Sequence, residues 1–317
     1  MTVSTISTTD AGHGPAPRGP GARRPRLLAG GIALAMACGV AATPVGAAPR
    51  PASPAEVRRI LDRAVRALDK ASDATRGKDP GRVSGHLRRA DEYLESFGTR
   101  SGLPDFKAAF DAALRAAQSG DLPAADGALR RARTLLPALA DFAVTRQAEV
   151  ESRAALSAAA AGDGPGCAEA LRRFEEAILH DVLIARLDQA RQAIARARAA
   201  MVRRDMRAGR EEVAAARRAV GGLRYAGALS RALFSMRLGT ELFDGGARRA
   251  ARERIQTALQ EMQTAIDLAP ESRRDGLEQA RERARQVWRR MGRPEEGDPE
   301  ILRTVTRLLE RTRREQG

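Results

Sequence analysis

Apolar positions recur along this chain at helical spacing. Between Ala109 and Pro137 they predict two short helices folded back on each other. The first closes at Ser119-Gly120, where glycine accepts the left-handed conformation that ends a helix. Asp121 offers a capping carboxylate to the next helix, and Pro123 falls in its first turn, where a missing N–H costs little. Ala125, Leu129, Ala132 and Leu136 then make one apolar stripe.

Steps of 42 residues from Asp121 reach Asp79, Asp163, Asp205 and Ala247. Four residues after these references stand Val83, Ala125, Cys167, Gly209 and Ala251. Eight after stand Leu87, Leu129, Leu171, Val213 and Ile255. Eleven after stand Ala90, Ala132, Phe174, Ala216 and Ala258, and fifteen after stand Leu94, Leu136, Ile178, Val220 and Met262. Eight before stand Ala71, Ala113, Ala155, Ala197 and Gly239, small enough for two helices to approach closely. Eleven before stand Leu68, Phe110, Ser152, Ile194 and Met236.

The pattern predicts an all-α fold, an array of about five antiparallel helical hairpins with a C-terminal helical cap. First helices are expected near 56–76, 104–119, 140–161, 184–203 and 226–243, and second helices near 81–97, 122–136, 165–180, 206–220 and 247–268. The turn at Arg203-Arg204-Asp205 lacks glycine, and Asp244-Gly245-Gly246 moves the acid three residues early. Both are expected to be less regular than the others. Pro270 ends the repeat domain, 56–270. Residues 271–317 read as a further hairpin out of register, a cap or a surface for a second copy or another partner. Its helices are marked by Leu277, Ala280, Ala284, Val287, Trp288 and Met291, then by Ile301, Leu302, Val305, Leu308 and Leu309.

The N-terminus follows a different rule. Residues 1–22 are rich in Ser, Thr, Gly and Pro, the composition of a disordered segment. Arg23, Arg24 and Arg26 precede an apolar run from Leu27 to Ala42, and Val45-Gly46-Ala47 fits a cleavage site. Residues 1–47 therefore read as a leader with cleavage near Ala47, and 48–55 as a linker. Retention as an anchor, a twin-arginine route through Arg23-Arg24 and lipidation at Cys38 are variants. Each puts the chain outside the cytoplasm, with membrane contact only through an uncleaved leader.

The net charge of +15 is carried almost entirely by arginine; Lys70, Lys78 and Lys107 are the lysines. Basic residues alternate with acids, as in Arg210-Glu211-Glu212, the pattern of solvated helix faces. Export and the missing dense basic block argue against nucleic acid. Aromatic residues make up 3% of the chain, too few for a thick core, and no alternating strand pattern is present.

Candidate chemistry is sparse. Cys167 holds a register position filled elsewhere by Val, Ala or Gly, so it reads as core. His86 and His180 are far apart, and His180 is expected to close a helix, where the dipole favours its charged form. No metal site, cofactor motif or catalytic constellation is read. Glu175-Glu176 and Glu211-Glu212 read as solvated faces, and Phe110, Phe174, Met236, Phe243 and Trp288 as core.

Two resemblances rest on these residues. Ala113, Gly120, Ala125, Leu129, Ala132 and Pro137 fall at the spacing of a tetratricopeptide hairpin. That resemblance implies a concave wall of first helices, with Lys107, Glu149, Arg191 and Arg198 facing into it. Gly120-Asp121, Leu135-Leu136-Pro137 and Gly162-Asp163 between Ala-rich helices resemble the YfdX family of exported all-helical bacterial proteins, over roughly 104–265. That resemblance supplies no catalytic residues. The expectation is a non-catalytic exported helical-repeat protein that binds a protein or peptide partner in the bacterial envelope; the net basic wall that the tetratricopeptide resemblance implies would suit an acidic one. The alternative is a YfdX-like stress-protective protein acting as a holdase or a small-ligand sink.

Overall fold

The computed structural model describes residues 52–143, 145–291 and 299–315. The expected leader and its cleavage site lie outside the described residues, as does the turn at 292–298. The described elements are all helical, with no strand among them. They are α1 (Pro54–Arg76), α2 (Pro80–Ser101), α3 (Leu103–Ser119), α4 (Leu122–Leu135), α5 (Thr145–Ala160), α6 (Gly164–Ile178), α7 (His180–Val202), α8 (Met206–Asp244), α9 (Arg248–Leu268), α10 (Glu271–Arg290) and α11 (Pro299–Arg314). A 3-10 turn, Leu136–Leu139, separates α4 from α5 and contains Pro137. No helix of the described residues is long and apolar enough to cross a membrane.

Local chemistry sets the helix starts. The carboxylates of Asp79, Asp121, Asp163 and Asp205 accept from the backbone N–H three residues on, at 3.0, 3.1, 2.9 and 3.0 Å. Each removes one of the orphan donors of a helix N-terminus. The residue before each reference position is left-handed: Lys78, Gly120, Gly162, Arg204 and Gly246 all have positive φ. The N–H that follows returns to a carbonyl five residues earlier, as from Asp121 to Ala116 and from Ala247 to Leu242. The two turns expected to be irregular thus share the backbone geometry of the others. Arg204 reaches it without glycine, and Ala247 lacks only the side-chain cap.

Every residue at the six register positions is buried. Their packing order, however, differs from that of a linear array. Helices α1, α2, α7 and the first part of α8 close into one four-helix bundle, with α1 on α2, α2 on α7, α7 on α8 and α8 on α1. Helices α3 to α6 close a second in the same way. The rest of α8 with α9, α10 and α11 closes a third. The second bundle is inserted into the first between α2 and α7. Each amphipathic hairpin has one apolar face, and two faces pressed together complete a core. The apolar side of α11 (Leu302, Val305 and Leu309) is buried within the chain.

Helix α8 is one unbroken helix of 39 residues, where two helices near 206–220 and 226–243 were expected, and the pair Gly221-Gly222 lies inside it. A helical glycine costs about 1 kcal/mol relative to alanine. Burial of Val220, Leu223, Ala226 and Ala228 around the pair outweighs that cost. The core of the first two bundles is continuous and ends on α8 at Ala226; that of the third begins at Tyr225. The middle of α8 is therefore where the bundles meet. Close approach there needs a missing side chain, since a Cβ on Gly227 would stand 3.2 Å from the Phe142 ring.

Two groups of charges hold this meeting point. Arg58 of α1 donates two hydrogen bonds to the buried Asp141, at 3.0 and 2.8 Å, and Arg231 of α8 pairs with Glu261 of α9 at 2.9 Å. Arg313 of α11, 4% exposed, donates to the Glu176 and Ala177 carbonyls at 2.7 and 2.6 Å and to Ser230 Oγ at 3.1 Å. Its partners are the last carbonyls of α6, where the helix dipole favours positive charge. Burial, with the charge of Arg237, lowers its pKa to about 10, so it stays protonated at neutral pH.

Candidate functional site

The four residues expected to line a concave wall do not form one. Lys107 of α3 pairs with Asp181 at 2.7 Å and Asp111 at 3.2 Å. Arg191 of α7 pairs with Asp91 and Glu95 of α2 at 3.1 and 3.8 Å. Glu149 of α5 meets Arg153 of its own helix at 3.6 Å, and Arg198 is exposed. The physical reason is the bundle closure. Helix α3 packs chiefly on α4 and α6, and α7 on α2 and α8, so successive first helices do not stand side by side as a wall.

The structure brings together two other groups. One is a cleft of about 520 Å³ where α7 and α8 meet the connection from α9 to α10. Arg186 of α7, Arg218 of α8 and Arg273 of α10 line it, and its lining holds no acidic side chain. Gly221 and Gly222 form part of one wall, and Leu268, Ala269 and Pro270 contribute an apolar one. A Cβ on Gly222 would stand 3.3 Å from Cδ and Nε of Arg186, so the glycine lets that side chain lie along α8. Arg273 is anchored by the Thr312 and Glu315 carbonyls of the C-terminal segment. Guanidinium groups with an apolar flank suit a carboxylate carried on a partly apolar chain.

The second group sits at the junction of α6 and α7. Leu179 adopts φ 54° and breaks the helix there. His180 therefore opens α7 rather than closing α6, contrary to the expectation from sequence. Its ring lies 5.4 Å from Phe106 and 4.9 Å from Phe110, centroid to centroid, and is 0% exposed. Burial lowers its pKa and so favours the neutral imidazole, where a helix C-terminus was expected to favour the charged form. Neither ring nitrogen has a hydrogen-bond partner, and Nε2 lies 3.6 Å from Asp181 Oδ1. Glu175, half-buried rather than solvated, completes a set whose donor atoms lie within 4.8 Å of one another. Burial, then the charge of Asp181, raises the Glu175 pKa. The hydrogen bond from Lys107 lowers that of Asp181. No residue in the run up to Leu179 signals a helix break. The available sign was Asp181, an acid in a first turn.

The remaining candidates are structural. Cys167 is fully buried, and burial raises its thiol pKa, which suppresses the thiolate. Phe110, Phe174 and Met236 are core residues, while Phe243 and Trp288 are partly buried. Arg252 lies over the Trp288 ring at 4.7 Å. Comparison with protein-family models, with curated proteins and with solved structures finds no match to this chain.

Proposed function

We propose that this protein is a non-catalytic exported helical protein that binds an acidic protein or peptide partner in the bacterial envelope. The observation that carries the reading is the cleft lined by Arg186, Arg218 and Arg273 without an opposing acid. Its occupant is an acidic peptide segment, with carboxylates on the guanidinium groups and aliphatic carbons against Leu268 and Pro270. A fluorescein-labelled oligoglutamate peptide tests it by anisotropy. Binding to the full chain is expected to weaken as salt rises, because exposed charges are screened. The double variant Arg186→Glu with Arg218→Glu is expected to lose roughly tenfold or more in affinity. Equal binding by the variant, or none by the parent chain, overturns the reading. Envelope location is tested separately by cell fractionation: a chain beginning near Ala48 supports export, and a full-length cytoplasmic chain refutes it.

The holdase alternative draws less support from the surface. Val150 and Val202 are the exposed large hydrophobic residues among the described ones, which leaves little apolar area to hold an unfolded client.

A further inference from the structure

We propose that Glu175, His180 and Asp181 form a binding site for a divalent transition-metal cation of zinc type, at the junction of α6 and α7. The site is independent of the arginine cleft. Three observations carry it. Their donor atoms, one nitrogen and two carboxylate oxygens, lie within 4.8 Å of one another, close enough for one ion to collect them. His180 is fully buried, its two nitrogens lack hydrogen-bond partners, and Nε2 points toward Asp181 Oδ1 at 3.6 Å. A buried polar group without a partner costs about 1–3 kcal/mol, and a bound cation would supply Nε2 with one. The third observation is charge. The carboxyl groups of Asp111, Asp181 and Glu175 gather beside the Lys107 ammonium, which meets Asp181 at 2.7 Å and Asp111 at 3.2 Å. A divalent ion would offset this excess of carboxyl groups.

One imidazole with two carboxylates is a donor set for borderline cations such as zinc. Three protein ligands leave a fourth position for water or for a group from a partner. Lys107 would release Asp181 and keep Asp111, which it already meets at 3.2 Å. All three ligands come from one stretch of chain, two of them after the left-handed Leu179. The ion would therefore fasten α6 to α7 where the chain passes from the second bundle back to the first.

The test uses the untagged full chain. Zinc binding is measured by equilibrium dialysis with elemental analysis, and cobalt(II) by its visible absorption. About one zinc per chain is expected, with cobalt bands of a low-coordinate N/O site. His180→Gln and Glu175→Gln should each weaken zinc binding roughly tenfold or more, and His86→Gln should leave it unchanged. Glu175 is only half-buried, so its variant keeps the test valid if the His180 variant misfolds, which circular dichroism reports. Failure to bind zinc stoichiometrically, or binding unchanged in Glu175→Gln, overturns the site.

Discussion

The chain leaves the first bundle at Gly102 and returns to it at Leu179, and the two elbows are built differently. Both are single left-handed residues between helices, with φ of 65° and 54°. At the first, glycine takes the conformation without strain, and its surroundings are apolar: a Cβ there would meet Leu135 Cδ2 at 3.1 Å. Ser101 finishes the local hydrogen bonding by donating to the Gly98 carbonyl and accepting from the Leu103 N–H. At the second, leucine holds a conformation that disfavours any side chain, by roughly 1–2 kcal/mol. Around it stand the buried His180, the pair of Lys107 with Asp181, and Arg313 on the last carbonyls of α6. Strained backbone persists where surrounding structure over-determines it, and such places are drawn toward functional sites. The first elbow is a hinge made by local chemistry. The second is held by residues from two distant parts of the chain, Lys107 of α3 and Arg313 of α11.

The largest effect is expected at the glycine elbow. Gly102→Val combines left-handed strain with crowding against Leu135. It should cost roughly 2–4 kcal/mol, read from urea unfolding midpoints at constant slope. A loss under 1 kcal/mol would mean the elbow can relax, and the contrast with Leu179 would fail. Next comes the long-range support of the other elbow. Arg313→Met leaves the Glu176 and Ala177 carbonyls short of a charged donor and should cost about 2 kcal/mol. Amide exchange should show that loss localised at the α6–α7 junction. The strain at Leu179 is isolated by comparing Leu179→Gly with Leu179→Ala, which both remove the side chain. The glycine variant should be about 1 kcal/mol the more stable. Equal stability would show that Leu179 stores no strain. The smallest effect is at a hairpin turn without a cluster. Arg204→Gly should raise stability by up to ~1 kcal/mol, because the same conformation is relieved at an exposed site. If the gain there matched neither sign nor size of that at Leu179, the second elbow would differ in more than its surroundings.

How much was legible depends on the range of the interaction. The helix starts at Asp79, Asp121, Asp163 and Asp205 are local events within one turn of chain, and the residues that make them can be read directly. Inward-facing residues such as Leu87, Leu129 and Phe174 follow from periodicity alone. The four charges assigned to a concave wall failed because that assignment needed the order in which hairpins stack. An apolar stripe of alanine and leucine states that it must be covered, and several other stripes of the same make could cover it. The continuity of α8 escaped for a related reason, since the 42-residue pattern divides it into helices near 206–220 and 226–243 until the burial of Leu223 and Tyr225 between them is known. His180 escaped because Leu179 carries no sign of a left-handed backbone.

The sequence by itself determined that the chain is helical, where several helices begin, and which side of each is apolar. These depend on neighbours three and four residues apart, a distance the helix itself sets. Only the tertiary structure decided that hairpins close into bundles, that α8 joins two of them, and that the charged and imidazole groups of the α6–α7 junction share one place. Those outcomes come from competition among similar apolar faces and from side chains such as Arg313 that act across 136 and 137 residues of sequence, and no local spacing encodes them.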